Sequence, residues 1–275
     1  MTRITVNGIS LNIECSGTGP ALLLLHGFTG SHMTWTPHLN AWQGFSLITV
    51  DLLGHGHSDF PADPDHYQMG RCIEDLVALL DALEMPRVAL LGYSMGGRVA
   101  LHLALHAPQR LWALILESAS PGIADAAARA ARVQSDAALA AFIEQEGITA
   151  FVDRWQALPL FATQAQLSLA VREALRRQRL DNHPQGLANS LRGLGAGQQE
   201  PVLSRLAEMG VPTLLLAGAL DTAYCEHARR MTAVLLCGQL VIVPDAGHAV
   251  HLEQPVLFAD AVRTFLTEYQ QSQLC

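Results

Sequence analysis

The chain contains no lysine: all 17 of its positive side chains are arginine. A Schiff-base mechanism, which needs a lysine amine, is therefore excluded. Cysteine is sparse and unpaired in pattern. Five residues (Cys15, Cys72, Cys225, Cys237 and Cys275) without any C-x-x-C spacing suggest neither a disulfide framework nor a zinc site, and free, mostly buried thiols are expected. No apolar run approaches the roughly 20 residues of a membrane span. The first ten residues, MTRITVNGIS, lack the basic segment and apolar stretch of a signal peptide, so a cytoplasmic protein is expected. Positive charge is also short: 17 cations against 25 acids give a net charge of −8, which argues against nucleic acid as a partner. Nothing in the sequence signals a metal or an organic cofactor, and a monomer is the expected state.

Hydrophobic residues make up 50% of the 275 positions, enough for one large core with an insertion. The stretch from Arg3 to Glu14 alternates around Asn7-Gly8, a strong hairpin signal. Short apolar runs at Ala21 to Leu25, Ser46 to Val50, Arg87 to Tyr93, Leu111 to Glu117, Thr213 to Gly218 and Leu240 to Val243 read as further strands. Helical patterns lie between them, at Arg71 to Glu84 and Met95 to Ala107, and Pro255 to Tyr269 closes the chain. Strands separated by helices predict an α/β fold with a mostly parallel eight-stranded sheet flanked by helices.

From Gly122 to about Gln199 no strand is evident, and alanine, arginine, glutamine and leucine recur at helical spacing. Residues 1–121 and 201–275 are expected to form the core, and residues 122–200 a helical cap over the carboxyl ends of the strands, where such sheets bind ligands. The segment Pro121 to Pro201 holds eight arginines and eight acids, against nine and seventeen elsewhere, so it is the least negative part of the chain. Solvated helix faces explain most of those arginines; two or three lining a carboxylate-binding pocket is the sharper reading.

The most telling segment is Gly92-Tyr93-Ser94-Met95-Gly96, a G-x-S-x-G sequence between an apolar strand and an alanine-rich helix. In such an elbow the sharp turn lifts the serine hydroxyl clear of the sheet, beside the free N–H groups of the helix start. A serine needs a histidine to activate it and the histidine an acid to orient it. His248, in VPDAGHAVHLEQP, fits the first role, with His251 a local hydrogen-bonding residue. Asp221, after the strand Thr213 to Gly218, fits the second in the order serine, acid, histidine, and Glu117 is its rival. Asp245 is too near His248 in sequence to orient it. The backbone N–H groups of Phe28 and Met95 would form an oxyanion hole. His26, His55, His57, Asp51 and Asp59 read as loop organisers without chemistry.

His26-Gly27-Phe28, the DLLGHGHSD loop, the elbow, Asp221 and Gly247-His248 stand together in an order that resembles the α/β-hydrolase superfamily over nearly the whole chain. Within it, GYSMGGRVAL, ESASPGI followed by RAARVQSD, RWQALPLF and RQRLDNHPQGLANSLRGLGAGQQ are similar to the 2-succinyl-6-hydroxy-2,4-cyclohexadiene-1-carboxylate synthases of menaquinone and phylloquinone biosynthesis. That resemblance implies a pyruvate-eliminating lyase acting on a small polycarboxylate, with Ser94 and His248 as a base and the oxyanion hole holding an enolate. It also implies that Arg98, Arg132 and Arg179 bind carboxylates and that Tyr93 and Trp155 shape the pocket, with Arg129 and Arg176 as alternatives in the cap. The segment GALDTAYC departs from the family in lacking charged residues around the aspartate. A carboxylesterase or carbon–carbon bond hydrolase using the same triad is the alternative reading, and a non-catalytic small-molecule binding protein a further one.

Overall fold

The computed structural model describes residues 2–270. Eight strands form one sheet in the order β1-β2-β4-β3-β5-β6-β7-β8. These are β1 (Thr2–Val6), β2 (Ile9–Ser16), β3 (Ala21–Leu25), β4 (Ser46–Val50), β5 (Val88–Tyr93), β6 (Leu111–Glu117), β7 (Thr213–Gly218) and β8 (Gly238–Val243). β2 pairs antiparallel with β1 and β4, and every other pairing is parallel. Asn7 and Gly8 both adopt positive φ in the turn between β1 and β2, the conformation that an Asn-Gly hairpin needs.

Strand periodicity divides the core in two. Leu23 and Leu25 of β3 pack on one face with helices α1 (Met69–Ala82), α2 (Met95–His106) and α6 (Thr222–Thr232). Leu22 and Leu24 turn to the other, against Trp35, Trp42 and the residues Phe258, Val262 and Phe265 of α8 (Pro255–Gln270). All four leucines have no accessible surface, as befits a strand covered on both sides. β8 starts two residues earlier than its apolar run because this edge strand is only half-buried up to Ile242, so its first residues carry a weak pattern. A run of 3₁₀ turns from His32 to Trp42, containing Pro37, was not legible as a helix, since proline breaks the α-helical period.

Between β6 and β7 the chain leaves the sheet for α3 (Ala126–Gln156), α4 (Leu169–Leu180) and α5 (Pro184–Leu194). Gly147, at φ 79° and ψ 177°, breaks α3 into two helices. Ile143, Phe151, Leu187 and Leu191 give this insert a small core of its own, against which Phe28 of the main body packs. Gly54 and Gly186 join the two regions backbone to backbone: a Cβ on either would run into the other's carbonyl. Among the described cysteines, Cys72 and Cys225 are buried, but Cys15 and Cys237 are exposed, which corrects the expectation of mostly buried thiols. Cys15 sits near the end of β2 and Cys237 in the loop before β8, outside the packed layers. Cys275 lies outside the described residues. Within those residues no helix is long and apolar enough to cross a membrane, and no group of histidine, cysteine and acidic side chains is placed to hold a metal ion.

Candidate active site

Ser94 follows β5 and precedes α2 with φ 51° and ψ −107°, a left-handed conformation that costs a non-glycine residue energy of order 1–3 kcal/mol. Its surroundings impose the turn: the Ser94 N–H donates to the Glu117 carbonyl (2.8 Å), which ties the elbow to the end of β6. A Cβ on Gly92 would strike the Gly96 backbone, and one on Gly96 would strike the carbonyls of Leu25 and His26, so the elbow closes only with glycine at both places.

The hydroxyl of Ser94 lies 3.0 Å from Nε2 of His248, and Nδ1 of His248 lies 2.7 Å from Oδ2 of Asp221. With Nδ1 donating to the carboxylate, Nε2 is left as the acceptor for the serine proton. Glu253 holds the turn that carries the histidine, accepting from the amides of Gly247 (2.6 Å) and Ala249 (3.2 Å). Asp221 caps α6 as well, through Oδ1 and the Tyr224 N–H (3.3 Å). Glu117 turns elsewhere: both its oxygens meet Nδ1 of His251, at 2.8 and 3.0 Å, in the buried interior. The acid facing His248 is thus Asp221, while Glu117 and His251 form a separate pair.

Phe28 and Met95 flank the serine and line the same cavity. The loop bearing Phe28 is tied down by His26, whose Nδ1 donates to the Gly27 carbonyl (2.8 Å) while Nε2 accepts from the Leu52 N–H (3.0 Å). Burial pushes the His26 pKa down, which suits that neutral, hydrogen-bonded form. Asp51 organises the neighbouring loop, accepting from the His32 ring (2.8 Å), Asn12 (2.8 Å) and the His57 amide (2.9 Å). Burial alone would raise its pKa, yet the hydrogen bonds from His32 and His57 hold it well below the usual carboxylate range. Asp59 accepts from the Ser10 amide and pairs with Arg3, away from the serine.

The serine opens into a chamber of about 110 Å³ shared by Tyr93, Arg98, Arg132, Trp155 and Tyr224. Arg98 lies one turn along α2 from Ser94, and its Nη1 is buried without a hydrogen-bond partner. Burial lowers its pKa to about 10, still far above neutrality, so a guanidinium faces the chamber with unused donors. Arg132 has its Nε 2.8 Å from Asp136 and a side chain 45% exposed, leaving the rest of its fork available. Tyr93 touches both histidine rings, with centroids 5.5 Å from His248 and 4.6 Å from His251.

Arg179 stands apart from the other two arginines. It lines an adjoining chamber of about 190 Å³ and lies outside the one that holds Ser94. Phe28, Tyr93, Trp155 and Phe161 border both spaces. The Arg179 guanidinium lies 5.2 Å from the Phe161 ring, its Nη2 donates to Gln164 at 3.2 Å, and its Nε has no partner. The two alternatives in the insert are engaged elsewhere: Arg129 donates to the Ile123 carbonyl, and Arg176 pairs with Asp153 at the surface. Sequence reasoning missed Tyr224 and Phe161, whose rings lie 4.5 and 6.1 Å from His248. Tyr224 stands three residues after Asp221 and Phe161 closes RWQALPLF, but an aromatic ring carries no signal of which way it turns.

The α/β hydrolase fold family matches residues 20–255. The chain belongs to the α/β-hydrolase family. Among its relatives, a Bacillus subtilis (strain 168) protein that bears the name 2-succinyl-6-hydroxy-2,4-cyclohexadiene-1-carboxylate synthase provisionally is 42% identical over 92% of this chain and 93% of its own. The synthase of that name from Serratia proteamaculans (strain 568) is 33% identical over 90% of this chain and 93% of its own. The solved structure of MenH from S. aureus superposes with a TM-score of 0.90 at 34% identity, covering 94% of this chain and 98% of that one. Family membership through these relatives accounts for the eight-stranded, mostly parallel sheet.

Proposed function

We propose that the protein is the carbon–oxygen lyase that converts 2-succinyl-5-enolpyruvyl-6-hydroxy-3-cyclohexene-1-carboxylate into 2-succinyl-6-hydroxy-2,4-cyclohexadiene-1-carboxylate and pyruvate. The relatives that cover most of the chain carry the name of that synthase. The observation that carries the reading is the partnerless, buried Nη1 of Arg98 in the chamber where the Ser94 hydroxyl meets His248. A buried cation without a counter-charge is costly, and an anionic substrate supplies the missing acceptor. A neutral ester would leave it unmet.

The reaction follows from the triad. Ser94, its proton drawn toward His248, takes the proton alpha to the substrate's ketone. The electron pair moves into the ring, the ring double bond shifts, and the carbon–oxygen bond to enolpyruvate breaks; the departing enolate gains a proton and becomes pyruvate. The Phe28 and Met95 amides receive the negative charge that gathers on the ketone oxygen. Arg98 and Arg132 bind carboxylate beside the serine, Tyr93 and Trp155 shape the space, and Arg179 meets a more distant carboxylate from the adjoining chamber. Residues 122–200 act as the cap, and no cofactor enters any step.

Incubation with the enolpyruvyl substrate, with pyruvate release followed through lactate dehydrogenase, tests the assignment. Steady release that Ser94→Ala reduces by at least a hundredfold is expected. Absence of release from the wild-type protein together with turnover of p-nitrophenyl esters would assign it to the hydrolases instead.

A further inference from the structure

Tyr224 has no part in the triad, yet its position is set by it. It lies three residues beyond Asp221 in the first turn of α6, and its N–H donates to Asp221 Oδ1 while Oδ2 serves His248. The ring meets His248 edge to face, with centroids 4.5 Å apart and planes at 65°. The same side chain lines the chamber of Ser94, Arg98 and Arg132. Burial pushes its pKa up, with Arg98 and Arg132 pulling the other way and Asp221 adding to it, so the phenol keeps its proton at neutral pH and can donate it in a hydrogen bond. No residue of the fold accepts that bond among the described hydrogen bonds, while both arginines lie near enough to act on the phenol electrostatically.

We propose that the Tyr224 hydroxyl is a substrate-binding donor, the neutral third member of a carboxylate cradle with Arg98 and Arg132 beside Ser94. The inference rests on the polycarboxylate reading of this site. A carboxylate offers about four lone-pair positions, more than one guanidinium fork fills. A hydroxyl supplies a further donor without adding a third positive charge to the two cations that already line the chamber. The ring edge against His248 fixes the direction from which that donor arrives, so the cradle and the base keep a set separation.

Tyr224→Phe keeps the ring on His248 and removes only the hydroxyl. With the enolpyruvyl substrate, KM is expected to rise about tenfold, as for loss of a hydrogen bond to a charged acceptor, with kcat changed by less than about threefold. Titration of succinate into the whole protein by calorimetry should show a similar weakening in the variant, and an unchanged thermal midpoint verifies its fold. Wild-type KM and wild-type succinate affinity in Tyr224→Phe overturn the proposal, as does a fall in kcat at constant KM, which would place the hydroxyl on the reacting atoms. If the wild-type protein releases no pyruvate but binds succinate, and the variant binds it less tightly, the lyase reading fails while the cradle stands. A wild-type protein that does neither overturns both.

Discussion

Glu117 and His251 form a second buried acid–histidine pair, 2.8 Å apart, only three residues along the chain from the histidine that faces Ser94. The carbonyl of the same Glu117 accepts from the Ser94 amide, so its backbone supports the elbow while its side chain anchors the segment just after His248. The resemblance between the two pairs ends at the serine, which only His248 reaches.

Asp221→Asn and Glu117→Gln should therefore fail in different ways. Replacing Asp221 removes the group that holds the imidazole in its working tautomer, and kcat for pyruvate release should fall by about 10³–10⁴ with little change in thermal midpoint. Replacing Glu117 breaks a buried pair at a cost of about 3–5 kcal/mol. Its thermal midpoint should drop sharply, with less than about tenfold loss of kcat measured well below that midpoint. The opposite pattern in paired kinetic and calorimetric measurements would make Glu117 the triad acid.

The arginines should rank by burial. Arg98→Gln removes an unpartnered guanidinium from the chamber floor, and kcat/KM should fall by about a hundredfold or more, in the range for a buried charge-assisted pair. Arg132→Gln should cost less, since its side chain is 45% exposed and shared with Asp136. Steady-state kinetics of both variants checks the order, and a larger effect at Arg132 would count against the placing of the substrate carboxylate beside Arg98.

Acid should weaken the fold from about pH 6.5 downward. Burial holds the pKa of His38 at about 4, of His55 at about 3 and of His102 at about 4, with neighbouring His251, His26 and Arg98, respectively, adding to the depression. The unfolded chain takes up protons near 6.5 that these sites refuse, so their contribution is complete above that pH and is lost as pH falls toward the folded values. At pH 5 each accounts for up to about 2 kcal/mol. His32 acts in the opposite sense: its hydrogen bond to Asp51 raises its pKa, so its contribution is present below about 6.5 and lost as pH rises through the folded value. Burial depresses His26 and His227 in the same sense, so at five against one the thermal midpoint should be lower at pH 5 than at pH 7.5. Calorimetry at the two values decides, and a midpoint that stays constant or rises would contradict the balance.

The sequence made the elbow readable because its constraint is local: two glycines and a serine between an apolar strand and a helix leave one geometry. Asp221 and His248 were readable by their places after strands, and chain order favoured Asp221 over Glu117 without an account of where Glu117 goes. The destination of Glu117 depends on how α7 (Val250–Glu253) brings His251 back across the sheet, a tertiary matter. Arg179 shows the same limit within the insert. Its spacing on α4 fixes a helix face, but Phe161 and Trp155, from other segments, determine which chamber that face meets. Tyr224 was overlooked because a tyrosine next to an acid resembles any half-buried aromatic until the ring is seen against His248.

The contact between Gly54 and Gly186 bears on how such a molecule can diversify. Most joints between a body and an appended segment are made by side chains, and drift at one surface can be answered by a change in the other. Here no side chain exists on either partner to be exchanged, and any enlargement meets main chain. The α5 end of the insert and the loop that carries Gly54 therefore tolerate change only together, as one unit. New substrate preferences would have to arise in α3 and α4, or in the rings between the chambers, where side chains can be exchanged without moving that seam.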